Sequence, residues 1–138
     1  MKFLSVVLVV LLCSMACAAS DAACLNYSGI SEISGIVKVK MFYGEPGFGE
    51  NPASDAKEPQ EILVLDHAVC IDQGRDKYLE EPESNQQEVT LILNSIRLSK
   101  IEGRRVSVRG VVVHGNTWHH HTKLMIEVTG ESNVKVLK

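Results

Sequence analysis

The sequence predicts an all-β domain: a small five-stranded OB-like barrel with one short helical turn, closed by a disulfide. Three observations predict it. Successive stretches alternate apolar and polar residues with the period of two that belongs to strands. The segments between them carry turn chemistry rather than helical periodicity. Of the four cysteines in 138 residues, two remain for pairing once an N-terminal export segment is set aside.

That segment comes first in the chain. Lys2 supplies a positive start, Phe3 to Met15 is almost wholly apolar, and small residues follow at Ala16, Cys17, Ala18 and Ala19. This is the order of a secretory signal, with Ala16-Cys17-Ala18 as an A-x-A cleavage site. Residues 1–18 therefore read as a signal peptide and residues 19–138 as a single domain, placed in the periplasm or secreted. Two rival readings exist. A membrane anchor needs ~20 apolar residues, more than this run supplies, so no membrane span is expected. A lipoprotein would be acylated at Cys17, but the leucine usual three positions before such a cysteine is missing.

Cleavage after Ala18 removes Cys13 and Cys17, and lipidation would consume Cys17. Both leave Cys24 and Cys70 in an oxidising compartment, where they are expected to pair. The bridge closes a loop of about 46 residues, which chain-entropy arguments value at ~4 kcal/mol. Two buried free thiols are the alternative. The chain carries a net charge of −3, and loss of Lys2 with the signal makes it one unit more negative. With only three Phe, three Tyr and one Trp, there is little positive charge or stacking surface for nucleic acid, and none is expected as partner.

Five strands are read along the domain. The first spans Ile33 to Phe42, with Ile33, Gly35, Val37, Val39 and Met41 on one side. The second spans Glu61 to Ile71 and the third Glu88 to Leu93. Arg105 to His114 and His120 to Thr129 form the last pair. The Gly44 to Pro52 segment is too rich in Gly and Pro to continue a strand, and Gln73 to Gln87 is a polar, acidic loop. Ser95 to Glu102 is read as the short helical turn, with Ile96, Leu98 and Ile101 apolar and Gly103 ending it. Closure into a barrel is favoured over an open sandwich because it removes exposed edges. In the last hairpin both apolar sets stay inside if Val112 pairs with Thr122, Gly110 with Leu124, Val108 with Ile126 and Val106 with Val128. That register sets His114 opposite His120 on the inner side and turns His119 and His121 outward.

Several segments carry a family likeness: Cys24-Leu25-Asn26-Tyr27, the Gly35 strand, Pro46-Gly47-Phe48-Gly49-Glu50, Leu65-Asp66 and Val69-Cys70-Ile71. The most specific part is Gly103-Arg104-Arg105-Val106-Ser107-Val108-Arg109-Gly110, followed by His114 and His119-His120-His121-Thr122. Through these the chain resembles a family of exported bacterial domains with no assigned function, some joined to modules similar to lysozyme inhibitors. It departs from them at Asp66-His67-Ala68-Val69, where relatives more often have lysine and proline. The resemblance implies export, the disulfide and a β barrel, and brings no catalytic residues.

The strongest chemical signal is the histidine cluster. His119 and His121 lie two apart on a strand and face one way, so they can chelate a transition metal, with His114 and His120 as an inner pair. Only two ligands share each face, so weak binding is expected. The plainer reading is a hairpin end held by hydrogen bonds, which leaves the domain without a cofactor. Trp118 in the hairpin loop and Phe48 in the Gly-rich loop are candidate anchors for a protein partner. Arg105 and Arg109, on the outer face, could grip acidic groups. No G-x-S-x-G or H-E-x-x-H motif occurs, and Glu80-Glu81 lie in a polar loop with no catalytic company, so no enzyme is expected. The expected function is an exported, non-catalytic binding module, a protein-binding inhibitor or immunity-type protein acting on another exported or envelope protein. A metal-binding protein built on the histidine hairpin and a structural envelope domain are the alternatives.

Overall fold

The computed structural model describes residues 23–94, 101–116 and 120–138. The expected signal segment, most of the expected turn at Ser95 to Glu102, and Trp118 and His119 lie outside them. Among the described residues six strands follow in order: β1 (Ile30–Tyr43), β2 (Lys57–Ile71), β3 (Glu83–Ile92), β4 (Arg105–His114), β5 (Leu124–Glu127) and β6 (Val134–Val136). The sheet runs β1-β2-β3-β5-β4, and β4 pairs back onto β1, so five strands close into a ring. All pairings are antiparallel except that of β3 with β5. The expected all-β class, the ring of five strands and the disulfide are all present.

Period-two alternation decides what faces the middle. Ile33 and Val37 of β1, Leu63 and Ile71 of β2, and Val89 and Leu91 of β3 meet Val106, Val108 and Val112 of β4. Leu124 and Ile126 of β5 complete one core with Val128. A fully buried Val, Leu or Ile is worth about 1.5–3 kcal/mol, so this single cluster is the main source of stability. Two glycines let the ring close. Gly35 pairs at once with Leu65 of β2 and Val106 of β4, at the point where β1 passes from one neighbour to the other. A Cβ there would stand 2.1 Å from the Val64 carbonyl oxygen, and one at Gly110 would stand 2.3 Å from that of Glu127.

The sequence misjudged the partner of β4. His114 pairs with Leu124, Val113 with Met125, Val112 with Ile126 and Val111 with Glu127, a slip of four residues from the expected register. An even slip keeps every side chain on its expected face, so alternation could not reveal it. The physical reason lies downstream. β5 also has to pair with β3, a 3-10 turn at Glu131–Asn133 interrupts the chain, and β6 then returns to β4. Val106 therefore meets Val136, not Val128. Among the described residues the short helical turn thus lies after β5. Of the expected turn, Ile101 and Glu102 are described, and they lead into a hydrogen-bonded turn in which the Arg104 amide donates to the Ile101 carbonyl at 2.9 Å.

Beyond Ile36, β1 leaves β4, and from Lys57 to Glu61 β2 has no partner in β3. These parts form a two-stranded arm that extends past the ring. The loop at its tip is built on buried Asp55, whose carboxylate accepts the backbone N–H groups of Gly47, Gly49 and Asn51 at 2.9, 2.8 and 3.1 Å. Phe48 (φ 48°) lies inside this loop. Asp55→Ala would orphan three donors, so a loss of about 2–3 kcal/mol in a urea titration is expected.

Candidate functional site

The histidine that ends β4 sits at one end of the ring. His114 lies on the same inward face as Val106, Val108 and Val112, and its side chain is 5% exposed. Polar groups from the 81–83 stretch, from Asn116 two residues on, and from Lys123 surround it. Glu83, the first residue of β3, places Oε1 2.9 Å from Nε2. Asn116, just past β4, sets Oδ1 against Nδ1 and its Nδ2 donates to the Leu79 carbonyl at 3.1 Å. Glu81 completes a group in which one ligand atom from each of Glu81, Glu83 and His114 lies within 4.8 Å of the others. Lys123 reaches Glu83 from outside, at 3.8 Å.

Tyr27 forms the wall of this site, and the disulfide puts it there. Cys24 and Cys70 are joined with their Cα atoms 4.7 Å apart. The adjoining Leu25 donates to the Cys70 carbonyl and accepts from Asp72, at 2.8 and 3.0 Å. That short parallel bridge to Ile71 fixes the path of the next residues. The Tyr27 ring then lies 6.5 Å from the His114 ring, and its hydroxyl donates to the Glu81 carbonyl oxygen. Burial first, then the charges of Glu83, Glu80 and Glu81, push the hydroxyl up to about 12. It stays protonated and keeps donating.

The other described histidines are elsewhere. Residues Ile62, Thr90 and Met125 point outward from β2, β3 and β5, yet they are buried apart from the core cluster. The segment ahead of β5 closes on this face. Thr122 Oγ1 accepts from the Thr90 amide at 3.1 Å, lies 2.7 Å from the Thr90 hydroxyl and donates to the Leu124 carbonyl. His121 stacks on Phe42 with centroids 3.9 Å apart and planes 2° from parallel. His120 accepts from the Asn116 amide at 3.1 Å and lies beside Thr90 and Met125. The expected inner pair of His114 and His120 does not form. His114 keeps company with carboxylates, because the loop before β5 runs over the outside of the ring.

The expected partner-binding residues are dispersed. Phe48 sits at the arm tip, 37% exposed. Arg105 is taken by Asp66: its Nε and Nη2 meet the carboxylate at 3.0 and 2.8 Å. Those hydrogen bonds, with help from Ser34, hold Asp66 below the usual carboxylate range. Any stability from the pair is full above ~4, the ordinary aspartate value, and is lost as pH falls through the lowered one. Arg109 lies opposite Glu32, which accepts from Ser107 at 2.6 Å. Sequence reasoning missed Tyr27, Glu81, Glu83 and Asn116. No spacing links them, since separate segments of the chain, mostly outside the strands, bring them together.

Residues 86–135 match the model of a domain of unknown function (DUF4431). The match runs from within β3 into β6 and includes His114, Asn116, His120 and His121. Tyr27, Glu81, Glu83 and both bridged cysteines lie outside it. No curated protein and no solved structure shows a significant match to the chain. Among the described residues no helix is long and apolar enough to cross a membrane.

Proposed function

We propose that this chain is an exported, non-catalytic binding module that acts by docking on another exported or envelope protein, in the manner of an inhibitor or immunity protein. The observation that carries this reading is the braced apolar arm. Val39 and Met41 continue the inward face of Ile33 and Val37, but past the end of the ring, where they are 40% and 55% exposed. Methionine is enriched at protein interfaces, and Met41, with Val39 beside it, is left uncovered in a fixed frame that lowers the ordering cost of docking.

The opposite face of the arm is what makes the frame stiff. Lys40 bonds both carboxylate oxygens of Glu88 on β3, at 2.6 and 2.7 Å, and Phe42 is stacked against His121. The Asp55 loop then holds Phe48 at the tip. Ordering costs that would otherwise oppose binding are already met in the free protein. An inhibitor or immunity role fits a small disulfide-closed domain that presents such a projection. The signal-like N-terminus supports a periplasmic or secreted location.

A photo-crosslinking residue at Met41 tests the reading in cells. A discrete adduct with one exported or envelope protein is expected, and Val39→Asp should abolish it without altering thermal unfolding. The absence of an adduct at Met41, with equal labelling at Lys138 as a background position, would overturn the proposal.

A further inference from the structure

The hydrogen bonds around His114 leave a gap where positive charge is required. Asn116 donates through Nδ2 to the Leu79 carbonyl, which fixes its amide so that Oδ1 faces the imidazole. Oδ1 can only accept, so Nδ1 of His114 carries a proton. In a neutral imidazole the lone pair is then on Nε2. That atom faces Glu83 Oε1, another acceptor, at 2.9 Å. Two acceptors in this position need a cation between or beside them.

A proton would serve for Nε2 and Glu83 alone. The surroundings offer more than a proton needs. Glu81 brings a second carboxylate to the same point, within 4.8 Å of both other ligand atoms. The Nδ1–H bond to Asn116 is the outer support that metal-binding histidines characteristically have, fixing tautomer and ring direction. Tyr27 donates to the Glu81 carbonyl oxygen and steadies that ligand's backbone. Lys123 lies 63% exposed and can swing away from Glu83.

We propose that Glu81, Glu83 and His114 form a binding site for a divalent transition-metal ion of the zinc class. His114 Nε2 and one oxygen from each glutamate supply three ligands, leaving a fourth position open. One imidazole with two carboxylates suits such an ion, whereas calcium and magnesium prefer oxygen ligands throughout. Tetrahedral ligand distances of ~2.0–2.2 Å put neighbouring ligand atoms roughly 3.3–3.5 Å apart, so the 2.9 Å pair of His114 and Glu83 opens slightly while Glu81, within 4.8 Å, adjusts to the ion. This site is separate from the docking arm, and each reading stands or falls without the other.

Calorimetry and thermal unfolding of the disulfide-bonded protein with zinc chloride test the site. One ion per chain is expected, with a melting temperature that rises with zinc concentration. Glu83→Gln and His114→Gln should each weaken binding at least about tenfold. His114 is buried, so Glu81→Gln, at an exposed position, gives the same test with little risk to folding. The double variant His67→Ala/His121→Ala, which touches neither the three ligands nor Asn116, should bind like the parent. Nitrogen NMR of the imidazoles adds a direct readout, because zinc should move the His114 Nε2 resonance. Absence of saturable binding, with Nε2 carrying a proton, would overturn the proposal. So would zinc binding that survives Glu81→Gln and His114→Gln but is lost in the double variant.

Discussion

Cys70→Ser is expected to lower the unfolding free energy by about 4 kcal/mol, the value of the loop that the bridge closes. The two cysteines are 46 residues apart, and the loop between them contains all of β1 and most of β2. The effect should exceed loop closure alone in one respect. Without the bridge, Leu25 is held to the end of β2 only by its two backbone hydrogen bonds, and Tyr27 depends on that attachment. The substitution should therefore loosen the His114 site as well as the fold. Urea titration of oxidised parent and variant measures the first effect, and hydrogen exchange of the Leu25 and Asp72 amides, which make those two bonds, the second. A change below about 1 kcal/mol would show that the bridge adds little to the packed ring.

Gly35→Ala is the second large effect. Its added methyl would lie 2.1 Å from the Val64 carbonyl oxygen, 2.7 Å from that carbonyl's carbon and 2.9 Å from the Leu65 Cα. All three are backbone, so no side chain can swing aside and β1 must part from β2. Overpacking of this kind costs about 1–3 kcal/mol when a core can shift, and more when backbone must move. A loss of at least about 3 kcal/mol is expected. Gly103→Ala is the control: its φ of 75° disfavours a side chain, but nothing lies within 4 Å of the added methyl. It should cost only ~1 kcal/mol. Equal losses at the two sites would sink the steric account of ring closure.

Much of this fold was legible because alternation reports faces. β4 was read from Arg105 to His114 and occupies those residues, since its apolar positions repeat without a break. Partners are another matter. A period of two cannot distinguish Thr122 from Ile126 opposite Val112, since both choices keep the same side chains inside. Val134-Lys135-Val136 is too short to show a period, so β6 was missed, and with it the reason for the slip. The candidate site was less legible still. Glu81 and Glu83 belonged to what read as an acidic surface loop, and nothing in their spacing pointed to His114. Their meeting depends on β3 beginning at Glu83, opposite Ile71 and after a register shift in β2. Tyr27 depends on the disulfide. His114 alone was foreseen, with the wrong neighbours.

The seam of the ring lies between its first strand and its fourth, and this sets the order in which the chain can acquire an inside. Ile30 must find Val111 and Ile36 must find Arg105 before the sheet curls shut. The β1–β2 pair is local and can form early, but by itself it is a ribbon whose apolar side faces water. β3 gains its second neighbour only from β5, which comes after β4 in the chain. An N-terminal fragment ending before Glu127 therefore lacks part of the wall, whatever its other contacts. Such topologies delay most of their burial until distant segments meet, which places them among slower-folding small domains. A chain that closes its core this late has no complete interior for as long as its C-terminal quarter is missing.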